Sequence, residues 1–249
     1  MNRSDRIFGL IGYPLSHSFS KKYFTEKFNK ENIPHTSYEL FEIQSIADLK
    51  IILEQNPALC GLNVTIPHKE TVIPYLNNVS DAVLKIGACN CIKIENGNLI
   101  GYNTDVVGFE KMLIPYLKPH HSKALILGTG GAAKAVAWVM NKFNIEYLYI
   151  SRQEGEKKIA YSAIDKKVMN AHTLIINTTP LGMSPNTDKA PEIPYNFITA
   201  KHLCVDLIYN PPKTKFLELS EHEGATILNG QEMLVIQAEE SWKIWNGSR

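Results

Sequence analysis

The chain has 249 residues, 44% hydrophobic and 20% charged, with a formal net charge of +1, the make-up of a soluble globular protein with room for one large domain or two of about 100–150 residues. The near-neutral balance excludes a strong pull toward nucleic acid or an anionic membrane, and no apolar run reaches the roughly 18 residues of a membrane span. The start of the chain has only a short apolar run broken by Gly12 and Pro14, without the long hydrophobic region of a signal peptide, so the cytoplasm is the expected compartment.

Residues 6–11 read as a short apolar strand ending at Gly12. Ser18 and Ser20 lead into a helix with Tyr23, Phe24, Lys27 and Phe28 at helical spacing. A second strand at 36–41, a helical stretch at 46–53 and a third strand at 59–66, stopped by Pro67, come next; short helical pieces follow at 72–76 and 80–86. Strands at 87–94 and 99–102 flank Asn96 and Gly97, a dipeptide that favours a hairpin turn. Alternating strands and helices predict an α/β domain. Val106, Phe109, Met112 and Leu113 place a helix over 105–117, with Asp105 in its first turn. Residues 147–150, 173–177 and 202–207 are short apolar strands of the kind buried in parallel sheets, and 226–229 is a weaker one. A helix over 231–245 closes the chain, with Leu234, Ile236, Ala238, Trp242 and Trp245 as packing residues. No internal repeat is present. The domain boundary falls near 102–105, and the closing helix is expected to return to the first domain.

Between the two halves lies KALILGTGGAAKAVAW at 123–138. An apolar strand, a glycine cluster and small residues at a helix start form the opening of a dinucleotide-binding βαβ unit. Gly128, Gly130 and Gly131 let backbone N–H groups approach an anion, and the helix N-terminus turns its positive dipole end toward a pyrophosphate. Ala133 stands where the G-x-G-x-x-G pattern has its third Gly, a position that only needs to be small. The following strand ends in Ser151 and Arg152 rather than in an acidic residue. An acid there would repel a 2′-phosphate, whereas Arg binds one bidentately, which favours NADP over NAD.

Three further groups of residues can carry chemistry. NVTIPHK at 63–69 ends an apolar strand with Thr65 and places Lys69 beyond it; Lys69 is a cation for a substrate carboxylate, a general acid/base, or a surface charge. NTD at 103–105 lies at the domain junction, where Asp105 is either a carboxylate partner for a Lys or a helix N-terminal acid favoured by the dipole. SHSFS at 16–20 brings three hydroxyls to one helix start, more than the single N-cap a helix uses; His17 is a base or a structural residue. Met183, Trp138, Trp242 and Trp245 read as packing residues. Cys60, Cys89, Cys91 and Cys204 have no zinc spacing and are read as reduced thiols in or near the core. The eight His form no cluster beyond His120 and His121, so no metal is expected.

Together these segments resemble the shikimate dehydrogenase family over nearly the whole chain. GYPLSHSFS at 12–20 resembles its substrate loop; NVTIPHK at 63–69 its N-V-T-x-P-x-K segment; GACN at 87–90 its G-A-V-N; NTDVVG at 103–108 its N-T-D-x-x-G; and 128–133 its G-x-G-G-A loop. NTTPLGM at 177–183, DLIYNP at 206–211 and GQEMLVIQ at 230–237 complete the series in family order.

The resemblance implies a two-domain α/β protein: an α/β substrate-binding domain of residues 1–104 plus 230–249, and a Rossmann-like NADP-binding domain of 105–229, with a cleft between them. The implied reaction is reversible hydride transfer between NADPH and 3-dehydroshikimate, with Lys69 and Asp105 as the catalytic pair. Ser18 and Ser20 are implied to bind the substrate carboxylate, and Thr65, Asn90, Asp105 and Gln237 its ring hydroxyls. Gly128, Thr129, Gly130, Gly131, Ala132, Ser151 and Arg152 are implied to hold NADP. Asn177, Thr178, Thr179, Met183, Leu207 and Gly230 are implied to line its nicotinamide side, with Tyr209 there against the substrate. The implied partners are small molecules alone, and the implied state is a monomer or a homodimer. The family's N-R-T motif stands here as SRQ at 151–153, Cys89 and Cys91 replace the usual Val and Thr around Asn90, and 152–177 is short, so a helix or strand of the nucleotide domain is expected to be trimmed. A quinate/shikimate dehydrogenase with looser cofactor choice is the rival within the family; outside it stand a catalytically silent NADP- or metabolite-binding protein, disfavoured by the intact Lys69 and Asp105, and a different two-domain NADP enzyme such as a folate dehydrogenase, which would not need Ser18, Ser20 and Gln237 together.

Overall fold

The computed structural model describes residues 6–16, 18–152 and 155–247; His17 and Gln153 lie outside them. The backbone separates into two compact units, one formed by the chain up to Thr104 and again from Ala238, the other by Asp105–Gln237. The first seven residues of the C-terminal helix thus belong with the second unit, where the sequence assigned them to the first.

The first unit is a six-stranded mixed sheet. Its strands are β1 (Arg6–Gly12), β2 (Thr36–Glu42), β3 (Leu59–Val64), β4 (Asn78–Val79), β5 (Cys91–Glu95) and β6 (Asn98–Tyr102), in the order β2-β1-β3-β5-β6-β4. β1 runs parallel to β2 and β3, and β5 antiparallel to β3 and β6. The β5–β6 hairpin turns on Asn96 and Gly97, both at positive φ (51° and 77°), the geometry of the turns that match strand twist. The strand expected from residue 87 begins only at Cys91, because Gly87 closes a helix in the left-handed conformation.

Helices α1 (Phe19–Lys30), α2 (Leu49–Gln55), α3 (His68–Thr71) and α4 (Asp81–Ile86) connect these strands. Alternation along β1 sends Ile11 to a cluster with Leu62, Val64 and Ile92, and Phe8 and Leu10 to another with Phe24, Phe28, Tyr38 and Trp245. Each such side chain contributes about 1.5–3 kcal/mol by leaving water. Trp245 stacks on Phe8 at 4.8 Å, donates its indole N–H to the Ile92 carbonyl at 3.0 Å, and fits only because Gly61 has no side chain in its path.

The second unit carries α5 (Thr104–Leu113), β7 (Lys123–Leu127), α6 (Gly131–Lys142), β8 (Glu146–Ser151), β9 (Lys158–Ala160), α7 (Lys166–Ala171), β10 (Leu174–Asn177), β11 (Leu203–Asp206), α8 (Lys215–His222), β12 (Thr226–Leu228) and α9 (Gln231–Asn246), the last running on into the first unit. Its sheet is wholly parallel, in the order β12-β11-β10-β7-β8-β9. Counted from β7, that is the doubly wound order 3-2-1-4-5-6, with its topological switch point between β7 and β10. Leu125, Leu127, Ile150, Ile175 and Cys204 bury the sheet against Phe216 and Leu217 of α8.

The expected trimming falls on a helix and not on a strand. All six strands are kept, β9 as a strand of three residues, and α7 and α8 are additional helices. Among the described residues no helix joins β8 to β9, and 152–157 is too short for a crossover helix. The helix expected over 105–117 ends at Leu113, where Pro115 opens a single 3-10 turn. Among the described residues no helix is long and apolar enough to cross a membrane.

Candidate active site

In the first unit, the segments singled out in the sequence converge on the ends of β1, β3 and β5. Thr65 continues β3 by donating its N–H to the Ile11 carbonyl at 3.0 Å. The next turn carries buried His68, whose Nε2 lies 2.8 Å from the Ile43 carbonyl, and half-buried Lys69. The Lys69 carbonyl accepts from the Cys89 N–H at 2.7 Å, which ties the Lys69 turn to the segment carrying Asn90.

Asn90 is buried, and its Oδ1 accepts from the Thr104 N–H at 2.6 Å while its Nδ2 donates to Thr104 Oγ1 at 3.0 Å. Thr104 Oγ1 lies 3.2 Å from Ser241 Oγ, which accepts from Asn63 Nδ2 at 2.9 Å. Asn63 Oδ1 in turn accepts from the Tyr38 hydroxyl at 2.8 Å. Burial pushes the Tyr38 phenol well up. A continuous buried chain therefore runs from Tyr38 through Asn63, Ser241 and Thr104 to Asn90. Such a chain is rigid when fully satisfied.

Ser18 occupies the N-cap position of α1, but its hydroxyl makes no capping bond. Its Oγ is buried with no hydrogen-bond partner among the described residues. A buried hydroxyl without a partner costs about 1–3 kcal/mol, and a ligand oxygen placed there would offset that cost. The capping role open to Ser18 is thus not the one it fills.

Cys89 and Cys91 are buried free thiols, and Cys91 is pushed up by burial beside Ser241. They are packing groups on either side of Asn90.

In the second unit, the turn after β7 is built for an anion. Gly128 takes φ +105°, and a Cβ there would stand 2.8 Å from Thr178 Oγ1. Gly130 caps α6 without any side-chain bond, and no acidic residue lies in the first turn. The helix therefore offers unsatisfied N–H groups and its positive dipole end. Thr129 and Gly130 are exposed, and Gly131 and Ala132 half-buried, so the loop is accessible. Ser151 ends β8, the neighbouring strand, and exposed Arg152 follows it. These residues fit a dinucleotide carrying a 2′-phosphate.

At the end of β10 the Asn177 side chain is fully buried, and its Oδ1 accepts from the N–H and Oγ1 of Thr179 at 3.0 and 2.7 Å. Thr178 bonds back to the Leu127 carbonyl through both its N–H and its hydroxyl. Leu207 donates to the Asn177 carbonyl at 3.0 Å, and a Cβ on Gly230 would collide with the Leu207 backbone. Asn177, Thr178, Leu207, Gly128 and Gly230 are thus brought together around the switch point. Met183 is 48% exposed, which overturns its reading as a packing residue. Tyr209 is half-buried, with its phenol pushed up by burial. Asp105 lies half-buried in the first turn of α5, and buried Gln237 donates its Nε2 to the Leu234 carbonyl at 2.9 Å. Lys69 belongs to the first unit and Asp105 opens the second.

The residues missed in the sequence are Tyr38, Ser241, Asp206 and Thr214. Asp206 had a signal: an acid ending an apolar strand of a parallel sheet. Tyr38 and Ser241 had none, since they meet Asn63 only through tertiary packing.

Residues 10–92 match the family model of the shikimate dehydrogenase substrate binding domain. The chain is 39% identical to the NADP(+) shikimate dehydrogenase of Methanococcus maripaludis strain C6, over 98% of this chain and 92% of that protein. It superposes on the crystal structure of shikimate dehydrogenase from Aquifex aeolicus with a TM-score of 0.86, at 33% identity, covering 99% of this chain and 94% of that one. The Thermus thermophilus enzyme in complex with NADP(H) and shikimate gives a TM-score of 0.86 at 28% identity, covering 97% and 94%.

Proposed function

The chain belongs to the shikimate dehydrogenase family, and from that premise we propose that it catalyses the reversible NADPH-dependent reduction of 3-dehydroshikimate to shikimate, on the route to chorismate and the aromatic amino acids. The observation that carries this function is that the likeness runs through both units, so both the substrate side and the nucleotide side are included. It acts in the cytoplasm as a monomer or a homodimer.

Residues 1–104 with the C-terminal helix bind substrate, and 105–229 bind NADP. Gly128, Thr129, Gly130, Gly131 and Ala132 hold the pyrophosphate on backbone N–H groups, and Ser151 and Arg152 hold the adenosine phosphate. Asn177, Thr178, Thr179, Met183, Leu207 and Gly230 line the nicotinamide end. When bound, NADPH supplies the hydride.

The chain supplies the proton and the geometry. Ser18 and Ser20 bind the substrate carboxylate; the partnerless Ser18 hydroxyl supports this. Thr65, Asn90, Asp105, Tyr209 and Gln237 bind hydroxyls and the ring, so a ligand lacking a hydroxyl leaves a buried polar group unpaired and is rejected. Lys69 donates a proton to the carbonyl oxygen in reduction and takes it back from the hydroxyl in oxidation, while Asp105 accepts from the Lys69 ammonium and, once the alcohol has formed, from its hydroxyl.

The test is NADPH formation, followed by its absorbance, with shikimate and NADP, and with quinate and NAD as alternatives. No turnover with shikimate refutes the proposal. Lys69→Ala should lower turnover by roughly 10²–10⁴-fold while NADP affinity holds; unchanged turnover removes Lys69 from the proton transfer.

A further inference from the structure

One buried ionisable group has no part in the mechanism above. Asp206 ends β11 beside Asn177 at the end of β10, the two residues standing in register as neighbours across the sheet. Both are fully buried. The Asp206 carboxylate accepts from Asn177 Nδ2 at 3.1 Å on each oxygen, from the Thr214 hydroxyl at 2.6 Å and from the Ile208 N–H at 3.0 Å.

We propose that Asp206 is a positioning residue for the nicotinamide half of the cofactor site, acting through the Asn177 carboxamide. A carboxylate only accepts hydrogen bonds. It therefore turns the Asn177 NH₂ toward itself and the Asn177 Oδ1 toward Thr179, whose N–H and hydroxyl that oxygen accepts. The first turn of the 177–183 loop is set by this amide orientation. The bond from Ile208 fixes the backbone just after Leu207. Thr214, which bonds Asp206, also caps α8 through the Leu217 N–H at 3.4 Å. One side chain thus ties together the loops after β10 and β11 and the start of α8.

Shape alone does not explain a carboxylate here. Burial raises its pKa to about 6 against the bonds from Thr214, Ile208 and Asn177, which lower it. A neutral residue would pack without that penalty. What a neutral amide lacks is the capacity to accept from three groups at once: an Asn at 206 turns one acceptor into a donor and faces it toward another donor.

The inference rests on the proposal that 177–183 and 207–211 serve the nicotinamide end of NADPH. The experiment measures NADPH affinity by calorimetry, and kcat and both KM values, for the wild type, Asp206→Asn, Asn177→Asp and the exchanged double variant. Asp206→Asn should weaken NADPH binding by about tenfold or more, lower kcat, and leave the shikimate KM within about twofold. Asn177→Asp sets two carboxylates face to face and should be worse. The exchange restores a donor opposite an acceptor and should recover most of the loss. Thr214→Val removes one of the donors, and should show the same pattern more weakly if Asp206→Asn fails to fold.

Wild-type NADPH affinity and kcat in Asp206→Asn overturn the inference. So does an exchanged variant no better than the single one, or a loss shared equally by NADPH and shikimate. A wild-type chain that does not bind NADPH refutes instead the assignment of the nicotinamide loops, and the inference with it.

Discussion

Replacing Tyr38 by Phe removes one oxygen from the middle of the buried polar chain of the first unit. The ring stays: it is stacked on Phe24 at 4.7 Å with an interplanar angle of 12°, and it is only 2% exposed. No cavity larger than a hydroxyl is left. The loss is electrostatic. The hydroxyl donates to Asn63 Oδ1 at 2.8 Å. A neutral hydrogen bond is worth about 1 kcal/mol net, and orphaning the Asn63 oxygen, buried at 5% exposure, adds roughly 1–2 kcal/mol. The total is about 2 kcal/mol, which lowers Tm by roughly 4–8 °C in a chain of this size. Thermal unfolding followed by tryptophan fluorescence, where Trp242 and Trp245 report on the same cluster, makes the comparison. A Tm within about 1 °C of wild type would show that the phenol does not hold Asn63 as described.

Arg152→Ala should raise the KM for NADPH by about 10–100-fold, the worth of a charge-assisted phosphate contact, and leave that for NADH nearly unchanged; kcat/KM with both cofactors checks it, and equal losses would remove Arg152 from the 2′-phosphate site. Gly230→Ala drives a Cβ into the Leu207 backbone, so it should cost at least about 1–3 kcal/mol, the penalty of overpacking, and weaken NADPH binding; a wild-type melting curve would contradict the packing around Gly230. Asp206 predicts a pH dependence with a definite sign. Its pKa is raised from 3.8 to about 6 in the folded state by burial, so the native state holds the proton more tightly than the unfolded one. The stabilisation is full below pH ~4 and lost as pH rises to ~6, about 3 kcal/mol in all. The unfolding free energy from denaturant titrations should fall by about this amount more for wild type than for Asp206→Asn between pH ~4 and ~6, and parallel pH dependences would refute it.

Local chemistry was legible in the sequence. Asn96 and Gly97 announced their hairpin because only such residues tolerate positive φ in succession. The glycine-rich turn announced an anion site because strand, turn and helix N-terminus are contiguous in the chain. The apolar strands of the second unit were visible because a parallel sheet buries both faces, although not β9, whose three residues carry no such run. Lys69, Asp105, Asn90 and Arg152 stood out by residue type and by motif.

What only the tertiary structure decided lies between residues distant in the chain. The strand order that puts Gly128 beside Thr178 follows from how six strands bury their faces together, and no window of sequence contains it. Asn63 meets Ser241 across 178 residues, and Asn177 meets Asp206 across 29. A polar side chain shows in the sequence only that it needs partners; which partners it finds depends on the backbone that surrounds it once water has been excluded. For that reason the candidate site residues were readable from their motifs, whereas Tyr38 and Ser241, whose hydrogen bonds join Asn63 to Thr104, became visible only in the fold.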